Sequence, residues 1–188
     1  HRGSEILSYA LAGTAPKHGP NAWTKEQLLT DKKNLFEHNI VRDRIVDIMK
    51  SITPEVIIGE TGIMELAHLY HLRTIITAKD STKSLVEWAK LLHPTPALGG
   101  EPREKALTLL QKYETHERGM YAAPFGFMKD MGDGIVIVAI RSALIMDNVL
   151  YAYAGCGVVA DSDGMKSTQK LIIKCAPFWM HYDKFPNP

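Results

Sequence analysis

Apolar positions change their period several times along this chain, and each change predicts an element. Ile6 to Leu11 alternates and favours a strand that ends at Ala12-Gly13-Thr14. Pro16 to Asn21 is rich in Pro, Gly and Asn and reads as a loop. Thr24 with Gln27 has the capping-box spacing. Val41, Ile45 and Ile48 then mark one face of a long helix reaching to about Met49, with Glu37 one turn before Val41. Pro54 ends the helical pattern. Glu55 to Gly59, with Val56-Ile57-Ile58 as a buried core, and Leu72 to Ala78 read as strands, and Glu60-Thr61-Gly62 between them as a turn.

Asp80 or Ser81 is placed to cap a helix whose apolar face is Leu85, Trp88, Ala89 and Leu92. His93-Pro94-Thr95-Pro96 then predicts extended backbone, because each proline fixes its own φ and restricts its predecessor. Gly99-Gly100 permits a sharp turn or a close backbone approach. Pro102 suits the first turn of a helix carrying Ala106, Leu109, Leu110 and Tyr113, and Arg118-Gly119 breaks the pattern. The segment from Tyr121 leads into a strand, and Gly132-Asp133-Gly134 signals a hairpin. Ile135 to Ile145 is β-rich, Asp147-Asn148 marks a second turn, and Val149 to Ala160 predicts a strand with Val149, Tyr151 and Tyr153 on one side. Small residues on its other side suggest a close approach to the backbone. Asp161 to Gly164 reads as a loop, and Pro177 to Pro188 as a tail without period. Mixed strands and helices of this kind place the chain in the α+β class.

Composition narrows the possibilities. One domain over residues 1 to 188 is the simplest expectation for the length. Apolar residues at 45% and charged residues at 23% are ordinary for a globular protein. A formal charge of +1 gives no reason to expect nucleic acid or an anionic membrane as partner. No apolar run approaches the roughly 18 residues of a spanning helix. Cys156 and Cys175 make no disulfide framework and suit a reducing, cytoplasmic setting.

Several strings together carry a resemblance: Leu92 to Gly100 (LHPTPALGG), Ala10 to Thr14 (ALAGT), Glu37-His38, His71-Leu72-Arg73-Thr74, Ala139 to Ala143 (AIRSA) and Ala154 to Gly157 (AGCG). In this order they resemble the chorismate-binding enzymes, and the LHPTPALGG string is most similar to the isochorismate synthase branch. The resemblance implies an α/β sandwich of antiparallel sheets flanked by helices, of which this chain looks like the C-terminal portion. It implies chorismate as a small-molecule substrate and Mg²⁺ as cofactor, in menaquinone or siderophore biosynthesis. Chorismate is a dianion, so a site for it calls for fixed positive charge and backbone donors.

By resemblance, Arg141 clamps the enolpyruvyl carboxylate, in the bidentate way that a guanidinium allows. Tyr121 shares that carboxylate, with a core tyrosine as the plainer reading. Gly155 and Gly157 present backbone N–H groups, Lys174 contacts substrate or water, and Gly13 and Thr14 line the pocket. His71 lies near the ring or serves as a structural histidine. Ala97 and Leu98 abut the ring position that the nucleophile attacks, where branches differ. Glu37 matches the first metal glutamate. The family's general base, a lysine, and general acid, a glutamate, are expected upstream of Ala10, so no catalytic residue is placed in this chain.

The sequence departs from the family where a second helix would carry two metal glutamates: Ser167 and Lys170 occupy those positions, and the pattern resumes at Lys174. Met165 to Leu171 is either true divergence or a segment read one nucleotide out of register, since Asp-Glu-Glu-Tyr-Pro-Glu-Thr is encodable in the neighbouring frame. Resequencing the gene separates the two. Three functional readings therefore stand: an isochorismate synthase, a non-catalytic chorismate-binding fragment, or a salicylate or anthranilate synthase component.

Overall fold

The computed structural model describes residues 1–80, 82–147, 149–160 and 162–179, less the side chains at 166, 170, 173, 176, 177 and 179. The expected helix start at Ser81, the turn residue Asn148, the loop residue Asp161 and the tail beyond 179 lie outside the described residues. Two compact units emerge: His1–Tyr113 with Gly126–Val136, and Glu114–Phe125 with the chain from Ile137 onward.

The first unit is built on an antiparallel sheet. Strand β1 (Glu5–Pro16) enters first, followed by helices α1 (Lys25–Thr30) and α2 (Lys32–Ile52) and strands β2 (Val56–Ile58), β3 (Gly62–Glu65) and β4 (Leu69–Lys79). β4 is central, with β1 on one side and β2 and β3 on the other. Its alternation decides which face is covered. Leu72, Thr74, Ile76 and Ala78 are buried, whereas Arg73, Ile75 and Thr77 between them are only half-buried. The covered face packs on α2 through Ile6, Ala10, Ile76 and Ala78 against Val41, Ile45, Val46 and Met49, with Trp88 completing the cluster. Each of these large side chains contributes about 1.5–3 kcal/mol by leaving water.

β1 does not stop at Gly13. It runs on to Pro16 through a register shift between Ala12 and Thr14, where Gly13 takes φ 79°. That is a β-bulge, and glycine accepts the positive φ that it needs. The single long helix expected after Thr24 is two helices. The capping box of Thr24 and Gln27 is present as read. Asp31 then adopts extended backbone, ends α1 and caps α2 through the Asn34 amide at 2.8 Å. The side-chain cap compensates for the broken helical ladder.

The edge of the sheet corrects two further expectations. Val56 to Ile58 is no buried core: Ile57 is 71% and Ile58 44% exposed, because β2 is an edge strand. Glu60-Thr61-Gly62 is no reversal either, since β2 and β3 run along β4 in the same direction. The edge merely kinks there, with the Gly59 amide bonded to the Ile75 carbonyl at 2.8 Å.

Beyond β4 come helices α3 (Leu85–Leu92), α4 (Pro96–Gly99) and α5 (Arg103–Tyr113). α3 starts later than expected, capped by Ser84 with Glu87 in a capping box, and it buries Leu85 and Trp88 as read. Asp80 caps nothing. Its carboxylate accepts from the Thr82 amide and hydroxyl, the Lys83 amide and Trp88 Nε1. His93 and Thr95 are extended as expected, but Pro96, expected to continue that run, opens one helical turn (Pro96–Gly99) with proline at its first position, where a missing N–H costs nothing. The apolar face of α5 is not core: Leu109 is 53% and Tyr113 68% exposed. At the other end, the His1 amine and Gly3 amide bond Gly134 and Asp133 of the hairpin tip.

The hairpin joins β5 (Pro124–Met128) to β6 (Gly134–Val138) and carries residues of both units. In the second unit β7 (Ala143–Met146) pairs with β8 (Val149–Ala152), and α6 (Gly164–Trp179) follows. The β-rich run from Ile135 to Ile145 is interrupted after Val138, where Arg141 takes φ 50°. The strand expected to reach Ala160 stops at Ala152. Strands and helices thus mix in the α+β manner, with β1, β2 and β3 each antiparallel to β4 and β7 antiparallel to β8.

Candidate functional site

In the first unit the structure gathers Gly13, Thr14 and His71 around the β1 bulge. Thr14 and His71 are cross-strand partners, and Thr14 Oγ1 lies 2.8 Å from His71 Nδ1. The Thr14 amide donates to Asn34 Oδ1 at 3.2 Å. A Cβ at Gly13 would stand 3.0 Å from Leu72 Cδ1 and 3.1 Å from the Asn34 carbonyl, so α2 comes close only because residue 13 lacks one. Glu37 is half-buried and one helical turn beyond Asn34. Ala97 is exposed and Leu98 half-buried on α4, which packs against α2. The close approach read from Gly99-Gly100 is present: a Cβ on Gly100, at φ 75°, would meet Ala106 Cβ at 2.6 Å.

His38, present in the sequence argument only as part of the Glu37-His38 string, has a structural role of its own. It is fully buried, with Nδ1 3.2 Å from the Ala12 carbonyl and Nε2 2.7 Å from Thr74 Oγ1. Burial, with Arg42 nearby, holds its pKa below the usual imidazole value. The signal was available in the spacing: His38, Val41, Ile45 and Met49 form the buried stripe, and Glu37 lies beside it.

In the second unit Tyr121, Gly155 and Lys174 meet. The Tyr121 hydroxyl rests against Gly155, where a Cβ would lie 1.9 Å from it. Lys174 Nζ donates to the Gly155 carbonyl. Tyr121 stacks on Tyr153 with ring centroids 5.8 Å apart and has Arg118 over its ring at 5.9 Å. Burial pushes its phenol pKa up. Arg118 in turn holds Glu114 through two bonds of 2.7 Å. Arg141 makes no hydrogen bond or ion pair among the described residues. Its surface is open, yet loss of surrounding water pushes its pKa down, and a guanidinium stays charged regardless. Gly157 has open space where a Cβ would go.

The donor set does not fit the expected magnesium site. Mg²⁺ calls for hard oxygen donors, commonly one or two carboxylates. Among the described residues no three His, Cys, Asp or Glu side chains converge. Glu37 supplies one carboxylate on α2, and α6 carries no Asp or Glu at all along its 16 residues. Cys156 and Cys175 are both free thiols. No helix among the described residues is long and apolar enough to cross a membrane.

The chorismate binding enzyme model matches residues 1–181. The salicylate biosynthesis isochorismate synthase of Pseudomonas aeruginosa is 35% identical over 178 residues, which cover 92% of this chain and 37% of that protein. Isochorismate synthase MenF of Bacillus subtilis is 36% identical over 181 residues, 93% of this chain and 38% of that protein. The structure of the menaquinone-specific isochorismate synthase from Escherichia coli superposes with a TM-score of 0.87 at 28% identity, covering 95% of this chain and 42% of that one. The chain thus spans less than half the length of these curated relatives, and across nearly all of its own length it belongs to the chorismate-binding enzyme family.

Proposed function

We propose that this chain binds chorismate and belongs to an isochorismate synthase, in which water adds at C2 of the ring while the C4 hydroxyl departs as water. The observation that carries this reading is the Thr14–His71 pair at the β1 bulge beside the helix of Glu37, in a chain similar to proteins named isochorismate synthases. In the first unit, Thr14 and His71 offer polar atoms to the ring substituents, and Ala97-Leu98 presents a small apolar surface. In the second, Arg141 is the charged group best suited to a carboxylate, and Gly155 and Gly157 supply amide donors without side-chain obstruction. Tyr121, packed on Gly155, holds that segment in place, and Lys174 fixes its carbonyl.

The reaction also needs a base for the attacking water and an acid for the departing hydroxyl. None of these residues is assigned either role, and no step runs through a metal. A second reading, a chorismate-binding chain without turnover, is favoured by the absence of any carboxylate on α6.

One experiment separates the readings. The purified chain is titrated with chorismate by calorimetry and then incubated with it, products being identified by proton NMR. Isochorismate supports the first reading, and binding without turnover the second. Anthranilate formed with added ammonia overturns the branch assignment, and no binding at all overturns both.

A further inference from the structure

A directional chain of hydrogen bonds runs under the β1 bulge. His38 Nδ1 faces the Ala12 carbonyl, which can only accept, so Nδ1 carries the ring proton. Nε2 is then an acceptor, and Thr74 Oγ1, 2.7 Å away, donates to it. Thr74, having spent its proton, accepts from Thr61 Oγ1 at 2.8 Å. His38 and Thr74 are both fully buried. Three pieces of backbone thereby converge on one turn of α2: β1 just before the bulge, β4 just after His71, and the kink between β2 and β3.

The same turn of α2 carries Asn34, which takes the Thr14 amide, and Glu37. An apolar residue of similar size would fill the space at 38 but leave the Thr74 hydroxyl without its acceptor. It would also remove the polar tie from the centre of α2 to the Ala12 carbonyl. We propose that His38 is a positioning residue: its Nδ1–H tautomer, clamped between Ala12 and Thr74, sets the Asn34–Glu37 turn against Gly13 and Thr14. Its functional meaning rests on Thr14 and Glu37 belonging to the chorismate site, but the clamp can be measured without ligand.

The test uses the full chain with ¹⁵N-labelled histidine and backbone. His38 gives a pyrrole-type Nδ1 and a pyridine-type Nε2, and Thr74→Val moves the Nε2 resonance of His38 alone among the histidines. His38→Leu displaces amide signals at residues 12–14, 34–38 and 71–74. His38→Asn, which still reaches the Ala12 carbonyl with a donor, returns Thr14 and Asn34 towards their original positions. In chorismate titrations His38→Leu weakens binding by about ten-fold and His38→Asn by clearly less, with the effects of His38→Leu and Thr14→Ala non-additive. An Nε2–H tautomer overturns the proposal. So do displacements spread evenly over the sheet without rescue by asparagine, the behaviour of an ordinary core residue. Should His38→Leu fail to fold, Thr74→Val and His38→Asn decide the matter. A wild-type chain that takes no chorismate defeats the functional reading, while the labelled spectra still decide for or against the clamp.

Discussion

Gly155 and Ala122 illustrate how backbone demands at single residues shape the candidate site. At Gly155 any side chain collides with the Tyr121 hydroxyl, so Gly155→Ala must drive Tyr121 from its stack on Tyr153. The expected loss is about 1–3 kcal/mol by overpacking, read as a lower urea midpoint. Adding Tyr121→Phe should recover part of it, because the atom in closest conflict is the hydroxyl oxygen. Equal losses in the single and double variants would rule out that collision as the cause. Ala122 presents the opposite case. It is buried and holds φ 63°, with its amide on the Ala139 carbonyl. A non-glycine residue in that region costs roughly 1–2 kcal/mol, and losing a buried methyl costs about 0.8 kcal/mol. Ala122→Gly is therefore expected to raise stability slightly or leave it unchanged, and a drop in melting temperature would contradict the strain.

Connections between elements rest on a few carboxylates. Asp80 ties the end of β4 to α3. Burial works against its charge, but bonds from Thr82, Trp88 and Lys83 outweigh that and keep its pKa low. Asp80→Ala should cost about 2–3 kcal/mol, since charge-assisted bonds are lost and Trp88 Nε1 is left buried without an acceptor. A shift in Trp88 fluorescence at unchanged helix content would accompany it. Glu65 of β3 accepts from Lys17, after β1, and from Lys25 of α1. Those two ammonium groups hold its pKa down to about 2. A carboxylate with a depressed folded-state pKa stabilises above its unfolded value, and the contribution fades as pH falls from about 4.5 towards 2. The difference in urea midpoint between wild type and Glu65→Gln should thus be small at neutral pH, because the pair is exposed, and should vanish across that interval. A difference that grows towards acid would refute the assignment. These ties also explain what could be read beforehand. Thr24 with Gln27 is local chemistry, three residues apart, and was visible. Asp31 was missed because the apolar stripe runs on through the break, and Ser84 because Asp80 is an equally good local cap whose carboxylate is committed to Trp88 across space.

Across the molecule, the residues lining the candidate site were legible as strings, but their grouping was not. Gly13, Thr14 and His71 meet through strand register, which a separation of 57 positions between Thr14 and His71 conceals. His38 acquires its role only once β1 and β4 lie beneath α2. The exposed side of the sheet has the same origin. Leu7, Thr77 and Ile57 stand in one cross-strand row, Tyr9 pairs with Ile75, and Leu11 with Arg73, whose guanidinium lies 5.9 Å from the Tyr9 ring. Alternation puts these residues opposite Ile6, Ala10 and Ile76, which α2 covers. Leu7 is 44%, Tyr9 49% and Ile57 71% exposed, enough adjoining apolar surface to act as an adhesive patch. Leu7→Lys with Ile57→Lys should therefore leave folding stability within about 0.5 kcal/mol, since neither side chain belongs to the buried core. The pair should also reduce concentration-dependent self-association in sedimentation velocity, as charge on a sheet face or edge opposes stacking. The contrasting variant, Ile6→Lys on the covered side of the same strand, should unfold the first unit. Comparable destabilisation by substitutions on both sides would mean that the face of Leu7 and Ile57 is not the open one.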